Sequence, residues 1–176
     1  MMPHTKRRIP LGADNFLSVL EGIEGGFAIF VGIVAGLYFQ NISHDLLIVT
    51  GVVGLVVNAF NACAVRYTSE HYLDELDGHE KRHKLHAYFI PALIEFITYA
   101  LVSLIAVVPL LLIRDSLTAI VLTGLITVLI LFFAGAYRGK LLGRHAVRDG
   151  FELAWIGLAI IGVGTISGWL LSYLLQ

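Results

Sequence analysis

Two glutamates, Glu21 and Glu24, sit in the first turns of an apolar, glycine-rich run that reads LEGIEGGFAIFVGIVAG from Leu20 to Gly36. Their spacing of three places both carboxylates on one face of a helix. If the span starts near Phe16, a rise of about 1.5 Å per residue puts them roughly 8 and 12 Å into hydrocarbon. A charged side chain at the centre of a membrane helix costs about 2.5–3.5 kcal/mol, so the pair needs protons, partners or water. The plainer alternative is an interfacial pair near the helix start, where carboxylates also suit the helix dipole.

Other apolar runs offer partners. Asn58 and Asn61 are again three apart, Glu95 and Tyr99 are four apart within a third run, and Glu152 opens a fifth. Carboxylates and amide oxygens gathered at one depth suit a divalent cation, and carboxylates that can take up protons suit proton coupling. The asparagines serve equally well as interhelical hydrogen-bonding glue. Glu152, beside Arg148 and Asp149, also fits an interfacial place.

The polar connector RYTSEHYLDELDGHEKRHKLHAY carries a second candidate set. Glu75, His79, His83 and His86 follow a spacing of four, four and three, one stripe of a helix, with Glu70, His71, Asp74, Asp77 and Glu80 nearby. Imidazole with carboxylate suits iron, manganese, zinc or nickel, which would make the stripe a metal-recruiting site. A solvated helical extension explains the same charges, and Gly78 interrupts the helical expectation. Two small-xxx-small pairs, Gly22 with Gly26 and Gly32 with Gly36, allow close helix approach within a chain or across a dimer.

These residues belong to a chain built for a bilayer. Of its 176 residues 57% are hydrophobic and 14% charged, and its mean hydropathy is +0.83. A soluble domain of this size could not hide so much apolar surface, so the expected class is an all-α integral membrane protein. The formal charge of −1 gives no reason to invoke nucleic acid, and the single Cys63 excludes an intramolecular disulfide. The basic start MMPHTKRRIPLGADN resembles the opening of a signal peptide, but the apolar run after it is too long for one and reads as a retained first helix.

Five runs are long enough to cross about 30 Å of hydrocarbon: residues 16–39, 46–65, 88–113, 117–137 and 151–174. They form a single membrane domain over 1–176, with 66–87 as a short connector rich in histidine and acids. Eleven of the twelve lysines and arginines fall on one side of these spans, with only Arg114 on the other. The positive-inside rule then puts the N-terminus in the cytoplasm and the C-terminus outside or in a lumen.

The first span, EGIEGGFAIFVGIVAGL, resembles the vacuolar iron transporter family of plants, fungi and prokaryotes. The likeness lies in Glu21-Gly22, Phe27-Ala28 and Ala35-Gly36. The second span is similar to the family's helix ending in Tyr-x-Ser, here Tyr67 and Ser69, and the third carries a late proline, Pro109. The last, GLAIIGVGTISGWLL, resembles the family's glycine-bearing final helix. The resemblance implies a homodimeric exporter of Fe2+ or Mn2+ that exchanges metal for protons, with Glu21 at the position of the family's metal-binding acid. It also marks departures. Ala62 stands where the family has a methionine, Gly26 where it has a proline, and the long cytoplasmic helices are absent. A harder, oxygen-dominated site follows from the lost methionine and the added Glu24.

The expectation is therefore a proton-coupled divalent-metal transporter rather than an enzyme. Glu21, Glu24, Asn58, Asn61 and Glu95 form its pathway, and Gly22, Gly26, Gly32 and Gly36 its packing and hinge positions. Its partners are the bilayer, a second copy, protons and the metal, which is bound only in transit, with no permanent cofactor. The expected location is a prokaryotic plasma membrane, with a vacuolar membrane as alternative. Two other classes remain: an intramembrane carboxylate/histidine metalloenzyme, and a non-transporting metal sensor or assembly protein.

Overall fold

The structure, a computed structural model, describes residues 12–78 and 85–175. All regular structure among the described residues is helical: α1 Ala13–Tyr38, α2 His44–Leu76, α3 Ile90–Leu112, α4 Ser116–Leu142 and α5 Ala146–Leu174, with one π-helical turn at Leu85–Phe89 leading into α3. All five helices are long and apolar enough to cross a membrane. Their outer faces carry exposed leucine, valine and isoleucine, as a lipid environment demands.

The helix ends follow local chemistry. Asn41 takes a positive φ of 52° in the turn after α1, a conformation asparagine tolerates better than most residues. Ser43 and Asp115 cap α2 and α4 by accepting from the backbone N–H groups of Leu46 and Thr118. Gly143, at φ 72°, ends α4 while the N–H groups of Gly143 and Arg144 satisfy the carbonyls of Lys140 and Gly139. At the start of α3, Pro91 has no N–H to offer the carbonyl of Ala87, which sits in the π-helical turn.

Apolar length alone placed the end of the second span at Val65, but α2 runs on to Leu76. Membrane crossing limits the apolar stretch and not the helix, which continues through Arg66–Leu76 until Asp77 and Gly78 turn the chain. The Glu75–His86 stripe consequently does not continue as one helix. Glu75 lies in the last turn of α2, Gly78 breaks the path with φ 67°, and His86 belongs to the π-helical turn. His79 and His83 lie outside the described residues.

Helix α1 is the axis of the bundle and packs against each of the other four. Phe27, Phe30, Val31, Val34 and Ala35 of α1 meet Leu47 and Leu55 of α2, Tyr99, Ala106 and Leu110 of α3, and Ala119 and Ile120 of α4 in the main core. A smaller cluster joins Ala28 to Leu131 and Leu153.

Both glycine pairs of α1 are used inside the chain, each against a different helix. A Cβ on Gly26 would lie 2.7 Å from the carbonyl oxygen of Tyr99 on α3, and one on Gly36 would lie 2.6 Å from that of Gly164 on α5. Such crossings bring backbones together that any larger residue would hold apart. At the far end of the crossing the Gln40 amide donates to the Gly168 carbonyl at 3.0 Å and the Ser172 hydroxyl to the Phe39 carbonyl at 2.8 Å.

Candidate functional site

The site begins with Gly22. A Cβ there would stand 2.8 Å from Cβ of Thr98 and 2.9 Å from the carbonyl oxygen of Glu95, so its absence lets α1 lie directly on α3. Glu21, the neighbour of Gly22, and Glu95 thereby come to the same cleft. Gly25 makes room for the Tyr99 ring, and the Ser103 hydroxyl donates to the Gly26 carbonyl at 2.9 Å, tying the two helices one turn deeper.

Arg66 of α2 closes this cleft. Its guanidinium pairs with Glu21, holds Oε1 of Glu70 at 2.7 Å one turn along its own helix, and stands 3.8 Å from Oε2 of Glu95. It also reaches the carbonyl oxygen of Asp14 at 3.4 Å. Arg66 and Glu95 are both 7% exposed, whereas the Glu21 side chain is half-exposed at the mouth. Among the described residues, Oε2 of Glu95 is buried with no hydrogen-bond partner, and the guanidinium stands at ion-pair distance from it. The surrounding cavity of about 420 Å³ is lined by Glu21, Asn61, Ala62, Val65, Arg66, Ser69, Glu70 and Glu95. A buried carboxylate needs a compensating charge in low dielectric, and here a side chain supplies it.

The candidates from the sequence divide between places. Glu21, Asn61 and Glu95 share the cleft, as does Ala62, which the resemblance sets at a methionine position. Asn58 donates instead to the Gly54 carbonyl of its own helix at 2.9 Å. Glu24 turns away from Glu21's cleft towards α4, within electrostatic reach of Arg138. The angular step of three residues, small on a helical wheel, is enough to put the two glutamates in different interhelical grooves around the central helix.

A second group forms where Glu24 points. Nη2 of Arg138 stands 3.8 Å from Oε1 of Glu152 on α5. Asp149, 3% exposed, packs in the space left by Gly139, and its Oδ2 has no hydrogen-bond partner. Beyond Arg66, the end of α2 carries an aromatic cluster in which His71 meets the rings of Tyr67 and Tyr88 and the Tyr88 hydroxyl donates to Asp74 at 2.9 Å. Glu75 and His86 are exposed. Among the described residues, no three His, Cys, Asp or Glu side chains are grouped closely enough to hold one metal ion.

Sequence reasoning counted Arg66 only among the basic residues that orient the chain. A signal was present nonetheless. Arg66 is the one Lys or Arg between the second apolar run and Lys81, one helical turn from Glu70, in a chain whose first and third runs carry acids and no basic residue. In the sequence Asp149 is only a neighbour of Glu152, because nothing in its spacing distinguishes a buried aspartate from an interfacial one.

A family model described as the VIT family matches residues 69–169, more than half of the chain, from the late turns of α2 into α5. The matched stretch includes Glu70 and Glu95 but neither Glu21 nor Arg66. No curated protein matches the chain.

Proposed function

This chain belongs to the vacuolar iron transporter (VIT) family, a family of membrane metal-ion transporters, and from that premise we propose that it carries Fe2+ or Mn2+ out of the cytoplasm through the cleft of Glu21, in exchange for protons. The observation that carries this reading is the convergence of Glu21 from α1, Glu70 from α2 and Glu95 from α3 on one open cavity among membrane-crossing helices.

Hard oxygen donors suit Mn2+ and Fe2+, and no soft donor other than Cys63 lies on the neighbouring turns of α2. Glu21, half-exposed, is the first ligand a cation meets, and Glu95 is the inner one. Cargo binding gathers these two carboxylates around the ion as the guanidinium leaves them. Protons that replace the metal on the same carboxylates discharge the site for the return step. Glu24, Arg138 and Glu152 stand apart from this route in the groove between α1, α4 and α5, and Asn58 acts within its own helix.

In this reading the chain works as a homodimer in a prokaryotic plasma membrane. The glycine pairs of α1 are already engaged within the chain, so the dimer contact falls on other residues. Glu75 and the connector histidines act as an antenna for metal on the cytoplasmic side.

The test is Mn2+ flux into proteoliposomes under an imposed pH gradient. Glu21→Gln should lower the flux by more than about tenfold, a loss of over 1.4 kcal/mol of site stabilisation, while Glu24→Gln leaves most of it. Unchanged flux in Glu21→Gln and Glu95→Gln would overturn the assignment.

A further inference from the structure

We infer that Arg66 is the resident counter-cation of the acidic cleft. It bridges Glu21 and Glu95 while the site is empty and withdraws onto Glu70 when a divalent cation takes their carboxylates. The inference rests on the transport reading of the same cleft and adds to it the residue that sets affinity and charge selectivity.

Three observations carry it. The first is position. The guanidinium lies among acids from three helices, 2.7 Å from Glu70 and 3.8 Å from Glu95, and pairs with Glu21 as well. It therefore occupies the space a bound cation would need. The second is the unequal hold. Glu70 is one turn away on the same helix and its contact can persist through any movement of α2 against α1 and α3, whereas the contacts to Glu21 and Glu95 cross between helices. The third is the buried Oε2 of Glu95, which among the described residues has no hydrogen-bond partner and meets the guanidinium only at 3.8 Å, so that a cation taking the guanidinium's place breaks no hydrogen bond there.

Charge accounting gives the selectivity. With every group ionised, the three carboxylates and one guanidinium among the described lining residues sum to a formal charge of −2. One divalent cation cancels it while Arg66 stays on Glu70. A monovalent ion cancels half and offers Glu21 and Glu95 no more charge than the guanidinium it must displace. The guanidinium is a permanent cation, so it remains a competitor throughout.

The test is calorimetric titration of the purified protein in detergent with Mn2+, with Na+ as the monovalent comparison. Arg66→Gln removes the competitor and should tighten Mn2+ binding by about tenfold or more. Glu70→Gln removes the place of withdrawal and should weaken it by a similar factor. Arg66→Lys, which keeps a tethered cation, should stay near the parent value. A role confined to structure would weaken binding in all three.

Addition of guanidinium ions to Arg66→Ala should restore competition against Mn2+, with no comparable effect on the parent, and Glu70→Gln and Arg66→Lys, which keep a cation in the cleft, remain as readouts if the variants without one fail to fold. Parent protein that binds and transports Mn2+, with Arg66→Gln no tighter and guanidinium without effect, would overturn this inference and leave the transport reading standing. Absence of both Mn2+ binding and transport from the parent would remove the two together.

Discussion

Arg66 of α2 and Glu95 of α3 face each other at 3.8 Å, both almost wholly buried, in a cleft that α1 completes with Glu21. One guanidinium thus links acids from three helices. Removing one member of a buried charge group leaves the others uncompensated, which is far more costly than never having formed the group.

Arg66→Ala should therefore lower the stability of the metal-free protein by about 3 kcal/mol, read by thermal unfolding in detergent. At one Mn2+ concentration, a hundred times the variant's dissociation constant, mass action should return about 2.7 kcal/mol to the variant and, through about tenfold weaker binding, only about 1.4 kcal/mol to the parent. A metal-induced rise in Tm no larger in the variant than in the parent would contradict the picture of a cation exchanged for a cation.

The α1–α5 crossing makes a prediction of opposite signs at two glycines. Gly36→Ala places a methyl 2.6 Å from the Gly164 carbonyl oxygen and should cost about 1–3 kcal/mol by overpacking. Gly162→Ala, on the same pair of helices, meets nothing within 4 Å and should gain up to about 1 kcal/mol from helix propensity. Equal effects at the two positions in thermal unfolding would refute the close crossing.

His44 holds the opposite end of the bundle. Its Nε2 reaches the Leu110 carbonyl at 2.8 Å and its Nδ1 the Ser116 hydroxyl at 2.8 Å, so one ring joins the starts of α2 and α4 to the end of α3. A neutral ring that donates to the carbonyl and accepts from the hydroxyl satisfies both. His44→Ala leaves two polar groups without their partner and should cost about 1–3 kcal/mol. Hydrogen exchange should accelerate first at the amides of the turn between α3 and α4; protection unchanged there would disprove the latch.

Asp115 gives a pH dependence with a definite sign. Hydrogen bonds from the side chain and backbone of Thr118 hold its carboxyl below the usual aspartate range. A group whose folded pKa is depressed contributes its full stabilisation above the unfolded value of about 3.9 and loses it as pH falls through the lower folded value. The gap in Tm between the parent and Asp115→Ala should be constant from pH 7 to about 5 and close under stronger acid. A gap that widened on acidification would rule out the cap as its source.

Much of this architecture is legible in the chain. Five apolar runs of bilayer length require five helices, since a backbone in lipid must satisfy its own hydrogen bonds. The Gly22 and Gly26 spacing announces a close approach, and the isolation of Glu95 in an apolar run marks it as a residue with a partner. The length of α2 was not legible in the same way, because hydropathy measures where a helix meets lipid and is silent on how far it continues into water.

The amino-acid sequence by itself determined the membrane class, the number of helices and the presence of acids that a bilayer would not tolerate alone. Only the tertiary structure decided what those acids face. Glu21 and Glu24 are three residues apart, yet one meets Arg66 between α2 and α3 and the other looks to Arg138 on α4. Helical periodicity specifies directions around one axis, and the neighbours found in those directions depend on how five axes cross. Arg66 is the clearest case. Its charge assigned it to the basic side of the membrane, and packing around the glycines of α1 made it the centre of the site.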